Sequence, residues 1–224
     1  MAPKLRYLVL AVFTGFFLTA FLEWPAAQAD GKNSGSGKST TEFSGDPTKP
    51  RRHFRARDVA DLDADERETL YRQVRDRLVS GYAVSEDAVA KAYRNWKRFN
   101  TAPYRSATHG RRFINNYANK IAGSYSKFEA AGTLPVGAVI AKDSFVVTKD
   151  GTLTPGPLFV MEKMKKGFSY VSGDWRYTMI MPDGSVFGVT NGENAGRVEF
   201  CIGCHLAREK YDHLFFVPKA LRVK

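Results

Sequence analysis

The sequence predicts an α+β fold, in which a small antiparallel β-sheet domain with flanking helices is preceded by a helical N-terminal segment. Apolar residues recur at helical spacing in residues 58–100, and β-branched and aromatic residues alternate beyond residue 101. A Pro-Asp-Gly turn joins two of the predicted strands. The chain has 224 residues, which is enough for one domain with its own core.

Two segments without a core are expected before the fold. Two basic residues, an apolar run at residues 7–22 and the small residues of Ala27-Gln28-Ala29 have the layout of a signal peptide over residues 1–29. This layout predicts export to the periplasm, with an uncleaved membrane anchor as the alternative. Residues 30–57 are rich in Gly, Ser, Thr and basic residues, which predicts a flexible basic linker.

The segment 58–100 is expected to be helical. Asp63 and Glu66 have the spacing of a capping box, and Gly81 is a suitable helix end. A second helix is predicted over residues 85–100, where an apolar stripe follows Ser85.

Residues 101–224 are expected to form the β domain. The clearest strands are "PVGAVIAKDSFVV" and "DWRYTMIMPDGSVFGVT", and the second contains a hairpin turn at Pro182-Asp183-Gly184. A further helix is predicted over "NNYANKIAGSYSKFEAAG", because Tyr117, Ile121 and Tyr125 are spaced four apart.

The composition restricts the partners. A formal net charge of +11 favours acidic partners or an anionic membrane surface. We expect no nucleic-acid partner, because the basic residues are scattered along the chain rather than grouped on one helix.

The most specific motif is Cys-x-x-Cys-His at Cys201, Cys204 and His205, which contains the only two cysteines of the chain. This spacing is typical of covalent c-type haem attachment, with the histidine as the proximal iron ligand. A disulfide or half of a zinc site is the alternative. A zinc site would need a further ligand pair, which His53, His109 and His213 do not supply by their spacing.

The sequence alone does not decide which group, if any, is the sixth ligand of the iron. His109 could ligate the iron or act in the distal pocket. A methionine thioether would instead give an electron-transfer cytochrome, although methionines in apolar patterns are usually core residues. The candidates are Met161, Met164, Met179 and Met181.

Residues from Tyr104 to Arg222 resemble the cytochrome P-460 family, which includes the beta-type cytochromes c-prime. The resemblance is carried by "PVGAVIAKDSF", "GDWRYTMIMPDG", and "FCIGCH" followed by "YDHLFFVPKALR". It implies a small periplasmic monohaem protein of mainly antiparallel β structure, commonly a homodimer.

The resemblance also implies a role for Lys142. In cross-linked family members, a lysine on a strand after a Gly turn bonds to the haem edge and leaves the distal iron site open; Gly137 and Lys142 match that pattern. A lysine in an apolar strand is also costly to bury. The alternative is a side chain that reaches solvent beside Asp143. Without the cross-link, the chain would resemble the gas-binding members.

Four further residues are weaker candidates for the pocket. The resemblance implies a distal arginine and a proton-relaying acid, and two aromatic rings could cap the iron. The alternative for the arginine is a solvated surface position, and the alternative for the acid is a surface ion pair with Lys163 or Lys165. The alternative for the two rings is plain core packing. The candidates are Arg112, Glu162, Phe113 and Phe145.

Together these features predict a periplasmic monohaem oxidoreductase. It would oxidise hydroxylamine or related nitrogen oxides at an open distal iron and pass single electrons to a partner cytochrome. The alternatives are a non-catalytic protein that binds nitric oxide or another gas, and a Met-ligated electron-transfer cytochrome.

Overall fold

The computed structural model describes residues 55–224, so the predicted signal peptide and nearly all of the predicted linker lie outside the described residues. The fold is α+β, as the sequence predicted. It contains three α-helices, several 3₁₀ turns and an eight-stranded antiparallel sheet. The helices are α1 (Ala64–Tyr82), α2 (Ala88–Ala92) and α3 (Glu199–Leu206). The strands are β1 (Lys97–Arg98), β2 (Tyr104–Arg105), β3 (Phe113–Ala118), β4 (Val139–Val147), β5 (Leu153–Pro155), β6 (Leu158–Lys163), β7 (Trp175–Ile180) and β8 (Val186–Val189).

The sheet has the order β1-β3-β4-β6-β7-β8, with β2 also paired to β3 and β5 to β4. Both faces are covered, and each contributes to a separate core cluster. Helix α1 packs on one face, and α3 with the C-terminal residues packs on the other. Because side chains alternate along a strand, neighbouring residues of β4 and β6 belong to different clusters. No helix within residues 55–224 combines the length and apolar character needed to cross a bilayer.

Helix α1 begins with the predicted capping box. The Glu66 backbone N–H donates to Asp63 Oδ1 at 2.9 Å, and the Asp63 backbone N–H donates to Glu66 Oε2 at 2.8 Å. Its buried side is formed by Tyr71, Val74, Leu78 and Tyr82. The N-terminal helical segment therefore shares a core with the sheet.

The second predicted helix is shorter than expected. Asp87, not Ser85, caps it by accepting from the Val89 N–H at 2.7 Å. The chain then passes through a 3₁₀ turn at Tyr93–Asn95 into β1, which pairs with the end of β3. Strand pairing replaces the last helical turns that the apolar spacing predicted.

The prediction of a helix over residues 115–132 is wrong for the first part of this range. Residues Phe113–Ala118 form β3, an interior strand that is buried along its whole length and pairs with β4 over all six residues. A 3₁₀ segment follows at Gly123–Ala130. Pairing on both sides of β3 overrides a spacing that is ambiguous over so short a segment.

The predicted hairpin is confirmed, with Pro182-Asp183-Gly184 between β7 and β8. Gly184 has a φ of +85°, and a Cβ there would lie 2.7 Å from the backbone nitrogen of Ser85. The turn therefore requires glycine, both for its conformation and for its close contact with the chain after α1.

Candidate functional site

A cavity lies between the sheet and α3, on the face opposite α1. The empty space within it, including the mouth that opens to solvent, is about 460 Å³. Strands β4, β6 and β7 form one wall, and α3 and the loop before β3 form the others. Its lining includes His109, Ile140, Lys142, Phe159, Met161, Tyr177, Cys201, Cys204 and His205.

Helix α3 brings both cysteines to this cavity. Cys201 is buried and Cys204 is exposed, and the two thiols are not joined in a disulfide. Burial raises the pKa of the Cys201 thiol to about 12, so this group is a neutral thiol at physiological pH. One thiol thus faces the apolar interior and the other lies at the surface.

The imidazole of His205 is oriented by a backbone carbonyl. His205 Nδ1 lies 2.6 Å from the carbonyl oxygen of His213. Because a carbonyl can only accept, Nδ1 carries the proton, and Nε2 is the nitrogen suited to bind a metal. The ring is buried, with 5% of its surface exposed.

The carbonyl of His213 is held by a constrained turn. Asp212 and His213 both adopt the left-handed region, with φ of +54° and +62°. The Asp212 carboxylate binds Lys163 Nζ at 2.5 Å and the Leu134 N–H at 2.8 Å. Trp175 Nε1 donates to the Asp212 carbonyl at 2.9 Å. These contacts fix the turn whose carbonyl orients the His205 ring.

Lys142 extends from β4 into the cavity and is 3% exposed. Burial lowers the pKa of its amine to about 8. Within residues 55–224, the amine makes no hydrogen bond or ion pair. The structure therefore contradicts the alternative in which Lys142 reaches solvent. A buried amine with a lowered pKa in a cavity is the kind of group that functional sites contain.

Asp143 lies on the opposite face of β4 from its neighbour Lys142. Its carboxylate accepts hydrogen bonds from Tyr71 Oη and Asn115 Nδ2, each at 2.8 Å. Burial raises its pKa to about 6, although these hydrogen bonds act in the other direction. Asp143 thus anchors α1 to the sheet and takes no part in the cavity.

Phe113 and Phe145 also lie on the α1 face. Their rings pack together with centroids 5.5 Å apart, and Phe145 stacks on Tyr71 at 6.1 Å. Both belong to the core cluster of α1. The structure therefore does not bring these two rings to the cavity, and core packing accounts for their burial.

Glu162 and Arg112 do not line the cavity either. Glu162 forms a partly exposed ion pair with Arg176 on the neighbouring strand, rather than with Lys163 or Lys165. Arg112 is partly buried beside Gly156, and its Nη1 lies 3.5 Å from the His109 carbonyl oxygen. Burial lowers the pKa of its guanidinium. Arg112 supports the loop that holds His109 from outside the cavity.

Tyr177 is a lining residue that the sequence did not single out. Its ring lies 5.0 Å from that of His205, and its buried hydroxyl has no hydrogen-bond partner within residues 55–224. Burial raises the pKa of this hydroxyl. A buried polar atom without a partner is typical of a site shaped for a further group. The sequence contained one signal for this position: the alternation of side chains along β7 places Tyr177 on the same face of the sheet as Trp175 and Met179.

These residues fit a c-type haem. Two unpaired thiols and a histidine oriented through Nδ1 are the donors that such a group uses, and the largely apolar lining suits its ring. Within residues 55–224, no three His, Cys, Asp or Glu side chains are grouped as ligands for a metal ion. The two thiols, the oriented histidine and the apolar lining are the features that a haem site would need.

The chain belongs to the cytochrome P460 family. The model of that family matches residues 90–216, more than half of the chain, and membership implies a haem cofactor. No curated protein gives a significant match to the sequence.

Proposed function

We propose that the protein is a monohaem c-type cytochrome that oxidises hydroxylamine and passes the electrons singly to a partner cytochrome. The observation that supports this most directly is the buried amine of Lys142, which lines the same cavity as the attachment motif. When bound, the haem would supply the site at which the substrate nitrogen is oxidised and a conductor for the electrons. Oxidation to nitric oxide releases three electrons and three protons.

Cys201 and Cys204 would hold the haem through thioether bonds, each formed by addition of the thiol across a haem vinyl group, and a nitrogen of His205 would bind the iron. The His213 carbonyl keeps His205 in the tautomer that ligation requires. Replacing both cysteines by serine should abolish the mass increase of one haem that survives denaturation. Retention of that mass increase would contradict covalent attachment.

Lys142 would supply the amine for a covalent bond to the haem edge. The new carbon–nitrogen bond would replace a carbon–hydrogen bond of the haem and an N–H bond of the amine, and an external two-electron oxidant such as a peroxide would accept the two electrons and two protons released. At pH 8 about half of an amine with a pKa of about 8 is unprotonated, and only the unprotonated form is a nucleophile. Its side chain has no competing carboxylate in the cavity, because Asp143 lies on the other face of β4. Burial on the haem face therefore favours reaction over a surface ion pair.

The protons released by the substrate need an acceptor in the cavity. Glu162 is unsuitable, since it forms its ion pair with Arg176 outside the lining. His109 lines the cavity and is a histidine, the residue type that most often transfers protons in active sites. We therefore assign this role to His109 instead of Glu162.

The deciding experiment compares the wild type with Lys142→Met and the exposed control Lys149→Met. Intact mass under denaturing conditions, ferric and ferrous absorption spectra, and hydroxylamine turnover with a one-electron acceptor are measured. The wild type and the control should show one haem and a red-shifted ferrous band. Lys142→Met should keep the haem, show an ordinary c-type spectrum and lose turnover by about tenfold or more. An unchanged Lys142→Met spectrum would contradict the cross-link.

A second candidate function is binding of nitric oxide or another small gas without turnover. The apolar side chains of Ile140, Phe159 and Met161 in the cavity wall favour it, because they offer little to a polar substrate. Under this alternative, the wild type binds nitric oxide in the ferrous state but transfers no electrons from hydroxylamine to the acceptor. A Met-ligated electron-transfer cytochrome has one cavity-lining candidate, Met161.

The sequence and the family resemblance support a proposal for the location and partners. We propose that the protein is periplasmic, that its signal peptide is cleaved before Asp30, that it forms a homodimer, and that its basic charge brings it to an anionic membrane surface. Mass measurement of the protein from the periplasmic fraction should give a chain that begins at Asp30. Sedimentation should give twice the chain mass, and anionic but not neutral vesicles should bind the protein at low salt.

A further inference from the structure

His109 and His205 face the same cavity from opposite walls. The loop before β3 contributes His109, and α3 contributes His205. Their ring centroids are 6.4 Å apart, and the ring planes make an angle of 74°. Both side chains are 5% exposed.

This separation matches two imidazoles bound to one metal atom. A metal–imidazole bond is about 2.0–2.1 Å long, and the ring centre lies about 1.2 Å beyond the nitrogen, so two opposed ligands have centroids ~6.4 Å apart. An imidazole that left room for a further ligand on the metal would lie about 2 Å farther away. The centroid separation is therefore the one expected for two imidazoles bound to the same metal atom.

The His109 ring is held in place for this role. Its Nδ1 lies 2.9 Å from Ser106 Oγ, and Ser106 Oγ also accepts from the His109 backbone N–H at 3.2 Å. The ring packs against Phe159 with centroids 4.8 Å apart. A hydrogen bond at Nδ1 selects Nε2 as the ligating nitrogen, which is the usual arrangement for metal-bound histidines.

We propose that His109 is the second axial ligand of the haem iron, so that the resting protein is six-coordinate with two histidines. The inference rests on haem attachment at His205 but not on turnover. It goes beyond the proposed function, because hydroxylamine or nitric oxide must displace His109 before it can bind. Once displaced, the same imidazole is positioned to accept a substrate proton.

The test uses absorption and electron paramagnetic resonance spectra of the haem-loaded protein. The wild type should be low-spin, and His109→Ala should be high-spin, with added imidazole restoring the low-spin form. Met161→Leu is the matched control, since it removes the thioether from the cavity at nearly constant volume. It should stay low-spin. A high-spin wild type, or a low-spin His109→Ala, would overturn the proposal.

Two further measurements distinguish loss of His109 ligation from poor folding of the variant and from failure of the proposed function. His109→Met keeps a ligand at this position and should give a sulfur–iron charge-transfer band; its absence from a loaded, folded variant would count against the proposal. Hydroxylamine turnover is measured separately. A low-spin wild type without turnover would support His109 ligation and refute the proposed function. A high-spin wild type with turnover would refute His109 ligation and support the proposed function.

Discussion

Lys163 Nζ lies 2.5 Å from Asp212 Oδ1, and the pair is almost fully buried, with side chains 10% and 6% exposed. Asp212 immediately precedes the residue whose carbonyl accepts from His205 Nδ1. The ion pair therefore acts on the His205 ring through one peptide unit. It is a positioning contact, since neither side chain lines the cavity.

Asp212→Asn should destabilise the protein and disturb the proximal ligand. The change leaves the Lys163 ammonium buried without a counter-charge, which costs about 3–5 kcal/mol of unfolding free energy. The haem should stay attached, while its reduction potential shifts. Glu209 is an exposed neighbour, and Glu209→Gln is the control. If both variants keep the wild-type reduction potential, Asp212 does not position His205.

Gly173→Ala tests how tightly His213 is packed. A Cβ at Gly173 would lie 2.5 Å from the His213 ring, and Gly173 has a φ of +61°. Gly151 also has a positive φ, +85°, but a Cβ there would meet nothing within 4 Å. Gly151→Ala should cost about 1 kcal/mol from backbone strain alone, and Gly173→Ala should cost a further ~1–3 kcal/mol from overpacking. Denaturant unfolding measures both, and equal losses would contradict the packing argument.

Asp143 should make stability depend on pH below neutrality. Its pKa is raised from 3.8 to about 6 in the folded protein, so the folded state binds this proton more tightly than the unfolded state. The resulting stabilisation is complete below the unfolded pKa and is lost as the pH rises through 6. Between pH 7 and pH 5, the unfolding free energy of the wild type should rise by about 1 kcal/mol relative to Asp143→Asn. A difference that is constant or falls over this interval would contradict the assignment.

Glu162→Gln should have little effect. Its partner is Arg176, and the two side chains are 26% and 36% exposed, so the pair contributes at most about 1 kcal/mol to stability. The ferric and ferrous spectra should match those of the wild type. A changed spectrum would show that Glu162 reaches the haem after all.

Local signals predicted much of the fold. The capping box of α1, the apolar run of β4 and the turn between β7 and β8 each depend on residues close together in the chain. Strand β3 could not be found in this way, because its conformation is determined by pairing with β1, β2 and β4. Strands β1 and β2 are very short, and β4 is distant in the sequence, so no local pattern around β3 indicates the pairing.

The Cys-x-x-Cys-His motif could be recognised in the sequence because it lies within five consecutive residues, Cys201 to His205. Whether the other candidate residues line the cavity depends on the face of the sheet to which each side chain points. Lys142 and Phe145 are three apart, so a regular strand cannot direct both to one face. This parity rule argues against Phe145 as an iron cap from sequence alone. That Glu162 lies outside the cavity required the strand register and its contact with Arg176.

All eight strands precede residue 199 in the sequence, whereas both cysteines and His205 belong to α3. A chain that stopped before residue 199 would therefore retain every strand, including the one that carries Lys142, and would lack all three residues proposed to hold the haem. A single position in the chain thus separates the sheet wall of the cavity from the residues that would bind the cofactor.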